Sequence, residues 1–158
     1  YVGIDDPACH SYGGRRTART ETMWGRAGHA YIYLVYGLHN CLNIVTVGPE
    51  RPEAVLIRGG VVEEGLEIVR SRRGRGVGER SLTDGPGKLC EALAITRSDD
   101  GVDLCAPNSV LRICDDGVTV PEEQVLRLPR VGVDYAGEAA SWPLRLVSIQ
   151  SDVPTTDR

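Results

Sequence analysis

The sequence predicts an α+β fold: one domain built on a curved, mainly antiparallel β-sheet, with helices around it and a protruding β-hairpin. Three observations carry this. Residues 30–36 and 41–47 are β-branched and aromatic runs separated only by a Gly-to-Asn turn signal, which reads as a hairpin. Helical spacing occurs in two stretches only, and strands and helices do not alternate as a parallel sheet requires. The length of 158 residues suits one core, so residues 1–158 are read as one domain.

Residues 1–29 are rich in Gly, Arg and Thr without apolar periodicity, and read as ordered loop. Residues 30–36 form the first strand, 41–47 its return and 53–58 a third. Val62, Leu66 and Val69 are at helical spacing, which predicts a helix over 62–73, followed by a mobile basic loop over 72–78. A second helix is predicted over 84–95, with Asp84 as its cap and Pro86 in its first turn, where the missing N–H costs nothing. Short strands are predicted at 109–114, 124–128 and 144–149.

No apolar run approaches a membrane span, and no basic-then-apolar export signal opens the chain. The five cysteines lack C-x-x-C spacing, and an odd count without an export signal predicts reduced thiols. No metal-ligand cluster or cofactor motif appears, so no cofactor is expected. The net charge of -4 taken alone argues against a nucleic-acid binder. Its distribution does not: Arg15, Arg16, Arg19 and Arg26 crowd one stretch, and Arg70, Arg72, Arg73, Arg75 and Arg80 another. Such stripes can hold phosphates, although solvated arginine is their commoner meaning.

Phe is absent, while Tyr1, Tyr12, Tyr31, Tyr33 and Tyr36 fall in the first 36 residues. Phenol rings stack and keep a polar tip, which suits a pocket with water nearby. Tyr31 and Tyr33 share one strand face, with Tyr31 read as core, and Tyr36 points the other way at the hairpin tip. The loop from His10 to Arg19 combines glycines, hydroxyls and arginines able to approach phosphate oxygens, as do many surface turns that bind nothing. Asn43 and Arg58 lie on predicted interior strands, where each needs a partner or lines a polar pocket.

The blocks Ala8-Cys-His-Ser-Tyr-Gly-Gly-Arg-Arg-Thr-Ala-Arg19, Tyr31-Ile-Tyr-Leu-Val-Tyr-Gly37 and Cys41-Leu-Asn43 resemble the alkyladenine (3-methyladenine) DNA glycosylase family. The resemblance continues through Val55-Leu-Ile-Arg58, Gly85-Pro-Gly-Lys-Leu-Cys90, Arg130-Val-Gly-Val133 and Pro143-Leu-Arg145, nearly the whole chain in the family's order. It implies a base-excision enzyme that flips alkylated or deaminated purines out of duplex DNA. Tyr1, His10 and Tyr33 would enclose the flipped base, Tyr1 on one face and the other two opposite. Asn43 would crowd the 2-amino group of normal guanine. Tyr36 would wedge into the minor groove. Arg15, Thr17 and Arg97 would hold the DNA backbone. Arg58 and the carbonyl of Val131 would position the attacking water.

The family's general base is a Glu two residues before the position of Tyr1, so it is expected upstream of this chain, which is read as a glycosylase domain lacking its N-terminal segment. Ala18 stands where the family often has Pro, and Arg97 where Lys is common. The only lysine, Lys88, falls in a predicted helix, which argues against a Schiff base and strand cleavage. Implied with this are double-stranded DNA as partner, no membrane, a monomer, and a cytoplasmic nucleoid or nuclear location. Competing readings are a lesion-binding protein without catalysis and a small-molecule transferase.

Overall fold

The computed structural model describes residues 1–149 and shows the α+β fold expected. Strands β1 (Ala30–Val35), β2 (His39–Val45) and β3 (Ala54–Leu56) form an antiparallel sheet in that order. Helices α1 (Leu66–Arg73) and α2 (Pro86–Leu93) follow, and β4 (Val125–Leu128) pairs antiparallel with β5 (Arg145–Ser148) in a second sheet. The remaining connections hold several 3-10 turns, three of them within the first 24 residues.

The two faces of the first sheet do different work. Alternation sends Ala30, Ile32 and Leu42 to one side, where they pack with Cys90 of α2, Ile95 and Leu104. Tyr31, Tyr33, Cys41, Val45 and Ala54 go to the other and meet Cys9, Met23 and Trp24 of the N-terminal loops. The first face anchors the helices; the second lies under the loop that carries the glycines and arginines. A smaller cluster of Val69, Leu82 and Ala92 joins α1 to α2.

Several expected boundaries move, each for a physical reason. The predicted helix over 62–73 starts only at Leu66, because Gly65 before it holds a left-handed φ of 73°. Val62 still packs partly against the α1–α2 cluster. Pro86 does sit in the first turn of α2, but Asp84 does not cap it; its carboxylate accepts from Lys88 Nζ at 2.6 Å instead. Residues 109–114 form no strand. Their one backbone tie to a neighbouring segment is Ile113 N–H to the Leu104 carbonyl at 3.0 Å, and Val110 is 90% exposed. The apolar run there lacks a partner edge, and a lone extended segment cannot form a ladder. The strand predicted at 144–149 is β5.

The basic stretch around α1 is largely spoken for. Arg70 pairs with Glu67 and Glu79, Arg72 donates to the Ala92 carbonyl, and Arg73 bonds Glu91 and the Leu82 carbonyl. The guanidiniums of Arg72 and Arg73 staple α1 to α2. All five cysteines are free thiols, Cys9, Cys41 and Cys90 buried and the other two exposed. No helix among the described residues is long and apolar enough to cross a membrane.

Candidate active site

The second face of the sheet forms the floor of a cavity of about 440 Å³, within the roughly 300–1,000 Å³ range of small-ligand clefts. Tyr1, His10, Tyr33, Asn43, Arg58 and Val131 all line it. Five separate segments deliver them. β1 supplies Tyr33, β2 supplies Asn43, and the register Tyr31↔Asn43↔Leu56 fixes them on one face. Tyr36 lines the rim at the hairpin tip and is 92% exposed.

The His10 ring is held by two hydrogen bonds. Its Nδ1 lies 2.8 Å from Tyr31 Oη, and its Nε2 is 3.3 Å from Arg19 Nη2. A guanidinium can only donate, so Nε2 is the acceptor and the ring proton is assigned to Nδ1, which donates to the phenol. Burial, joined by the charge of Arg19, pushes the His10 pKa down to about 4, so the imidazole is neutral at pH 7. Burial likewise raises the Tyr31 phenol to about 12, against the opposing pull of Arg19. Tyr31, expected in the core, is 1% exposed and also orients His10.

The rings of His10 and Tyr33 are 4.5 Å apart at an interplanar angle of 83°. The Arg19 guanidinium carbon sits 5.3 Å from the Tyr33 ring centroid, within cation–π range. Asn43 is buried and donates from Nδ2 to the carbonyls of Tyr31 at 3.1 Å and Cys41 at 3.3 Å. Those bonds fix its side chain across the floor.

Tyr1 is set from below. Its amino group donates to the Ala54 carbonyl at 3.0 Å, and the Ala54 N–H donates back to the Tyr1 carbonyl at 3.1 Å. This mutual exchange is the mark of an antiparallel strand pair. The Arg130 guanidinium carbon lies 5.2 Å from the Tyr1 ring, and Arg130 is itself bound to buried Asp6 at 2.5 and 2.9 Å. A larger groove of about 840 Å³ continues from Tyr1, Leu56 and Arg58 along the outer edge of β3 to β5. Among the described residues no ion pair involves Arg58.

Arg15, Thr17 and Arg97 do not line the cavity. Arg15 and Thr17 lie on the exposed loop beyond His10. Buried Thr20 pins that loop, accepting from the Thr17 N–H at 2.9 Å and contacting the Arg15 carbonyl at 3.3 Å. This restraint holds the loop although Ala18 stands where proline is common. Arg97 opens a 3-10 turn, Arg97–Asp99, closed by reciprocal bonds of Thr96 and Asp99, and its side chain is exposed.

The sequence reading gave no role to Arg19, to Tyr135, whose hydroxyl donates to the Ala8 carbonyl at 3.2 Å beside the cavity, or to the Asp6–Arg130 pair. Arg19 belongs to the His10–Arg19 motif, but only its side-chain direction shows its contact with two rings. Asp6 and Arg130 lie 124 residues apart, and no local pattern links them.

Fold and cavity together define an α+β protein with an aromatic, arginine-edged pocket beneath an exposed tyrosine at a hairpin tip. The chain belongs to the methylpurine-DNA glycosylase (MPG) family, whose model matches residues 1–151. Its relatives include a candidate 3-methyladenine DNA glycosylase of Bdellovibrio bacteriovorus, 46% identical over 145 residues that span 92% of this chain and 72% of that protein. One so named from Methanocella arvoryzae is 47% identical over 145 residues, 92% of this chain and 70% of the relative. Another, from Bacillus cereus, is 41% identical over 157 residues, 92% and 74% respectively.

Proposed function

We propose that the chain recognises an alkylated or deaminated purine flipped from duplex DNA and serves the hydrolysis of its N-glycosidic bond by an activated water, without lyase chemistry. The observation that carries this is convergence: Tyr1, His10, Tyr33, Asn43, Arg58 and Val131 share one cavity beside Tyr36. Because His10 and Tyr33 are perpendicular, only one of them can lie flat on a base. Tyr33 flat, with His10 presenting its edge, satisfies both stacking and hydrogen bonding. A neutral His10 adds no charge repulsion against a cationic lesion, and its Nε2 is an acceptor that a base edge could share with Arg19. Lys88, on α2, is tied to Asp84 and does not line the cavity, which supports a monofunctional reaction.

The register at Tyr1 supports the expected general base. Strand side chains alternate, so in a longer chain the residue two positions before Tyr1 would run antiparallel to β3, oppose Leu56 and share Tyr1's face. That face looks toward Arg58, whose guanidinium has no counter-charge among the described residues. A carboxylate there would take the proton from water held against the Val131 carbonyl and stabilise positive charge developing on the sugar.

The deciding experiment is release of bases from duplexes carrying 7-methylguanine, hypoxanthine or ethenoadenine, by this chain and by a form extended upstream, alongside their binding. Selective binding by both, with release only by the extended form, is expected; equal affinity for damaged and intact duplexes refutes the reading.

Two variants test the assigned roles. Arg15→Ala is expected to weaken binding to damaged and undamaged duplexes alike and to flatten the salt dependence by about one unit of slope, measured by anisotropy between low and moderate salt. A loss confined to lesions would remove Arg15 from the backbone contacts. Asn43→Ser is expected to narrow discrimination against guanine by roughly threefold or more, because the side chain that crowds the 2-amino group is shortened. Unchanged discrimination would remove Asn43 as the gate.

A further inference from the structure

We propose that Arg19 is a specificity-determining residue: seated on the Tyr33 ring and bonded to His10, its fixed charge sets how the pocket ranks cationic against neutral purines. This rests on the reading of the cavity as a purine site and assigns a residue that reading leaves without a role.

Arg19 lines the cavity and contacts both rings that would meet the base. Its guanidinium carbon is 5.3 Å from the Tyr33 centroid, and Nη2 is 3.3 Å from His10 Nε2. A guanidinium is planar and cationic, the same two properties that distinguish an alkylated purine from a normal one. It therefore draws on the resource that a cationic lesion would use, the electron-rich face of Tyr33. A ring already attracting one cation has less to offer a second, and two cations near one ring repel.

A neutral purine such as hypoxanthine loses nothing by that charge. It must compete for the His10 acceptor, but a cationic purine must do the same, so that cost cancels in the comparison. The aromatic walls favour cationic lesions; Arg19 offsets that preference and brings neutral lesions within reach. Its outer part is exposed to solvent, which screens the effect and keeps it moderate. Arg16 in the same motif behaves differently: it is bound to Glu21 at 2.7 Å and to Glu50 at 3.3 Å, whereas no ion pair among the described residues neutralises Arg19.

The test uses three proteins, wild type, Arg19→Gln and Arg19→Lys, and three duplexes, carrying 7-methylguanine, hypoxanthine or no lesion. Affinities are read by anisotropy at one salt concentration. The decisive quantity is the affinity ratio of the cationic to the neutral lesion, which cancels any general phosphate contact that Arg19 makes. Arg19→Gln keeps a planar donor group on a shorter side chain but loses the charge, and is expected to raise the ratio about 3- to 10-fold. Arg19→Lys keeps the charge and is expected to stay near the wild-type ratio. An unchanged ratio in Arg19→Gln overturns the proposal, as does a lysine variant that moves as far as the glutamine one. Failure of the purine-site reading looks different: wild type then binds all three duplexes equally, and both proposals fall together.

Discussion

Replacing Asp6 with alanine is expected to remove about 3–5 kcal/mol of folding stability, because it strands a buried guanidinium. Asp6 is fully buried, and the Arg130 side chain is 6% exposed. Among the described residues Asp6 is the one carboxylate paired with that charge: Arg130 donates both terminal nitrogens to Asp6, and the Arg130 Nε has no partner there. Asp6 also accepts from the backbone N–H of Ala8 at 2.9 Å and of Val2 at 3.2 Å, so one carboxylate organises the first turn of the chain. Chemical denaturation of wild type and variant measures the loss, and a loss below about 1 kcal/mol would contradict it. The double variant Asp6→Leu with Arg130→Met is expected to be less harmful than Asp6→Ala alone, since no lone charge remains.

The same pair gives a pH signature. Burial alone would raise the Asp6 pKa, but the bonds from Arg130, Ala8 and Val2 outweigh it and hold the carboxyl below its ordinary value. The folded state therefore binds fewer protons than the unfolded chain as pH falls past the ordinary value. Its contribution is complete above roughly pH 4 and lost as pH drops through the lower folded value. Asp6→Asn should lack that part of the acid slope. Because Arg130 lies over the Tyr1 ring, the substitution also loosens one wall of the cavity. Fold and site share this contact.

How far the sequence reveals this molecule depends on the range of each signal. β1, β2 and their hairpin are legible because β-branched and aromatic residues flank a turn within the short stretch Ala30 to Val45. Pro86 marks the start of α2 for an equally local reason. Residues 109–114 mislead because composition suits a strand, whereas a strand also needs a neighbour that composition does not provide. Tyr1, His10, Asn43 and Arg58 emerge from motif resemblance, but their meeting in one cavity needs the strand register that places Asn43 and the long-range bonds that seat Tyr1 and His10. Arg19 and the Asp6–Arg130 pair stay hidden because side-chain direction and a 124-residue separation decide them.

Tyr36 supports the second large prediction. Tyr36 and Gly37 have φ of 52° and 70°, with the Leu38 N–H bonded to the Val35 carbonyl at 3.0 Å, the signs of a primed hairpin turn. Gly37 holds that conformation freely. A bulky residue does so only at a cost of order 1 kcal/mol, and Tyr36 is also 92% exposed, so it repays none of it by packing. An aromatic ring kept strained and solvated at a tip beside a base-sized cavity is explained if it fills the stack when a base leaves. Tyr36→Gly separates stability from function. It relieves the turn, so the fold should be as stable as wild type or more so, by up to about 1 kcal/mol. Affinity for lesion-bearing duplexes should fall by roughly 10- to 100-fold, on the scale of losing the stacking of one aromatic ring on a base. Tyr36→Phe keeps the ring and should bind nearly as wild type. Equal binding by Tyr36→Gly and wild type would remove the wedge, and with it the physical reason for holding this residue in a left-handed turn.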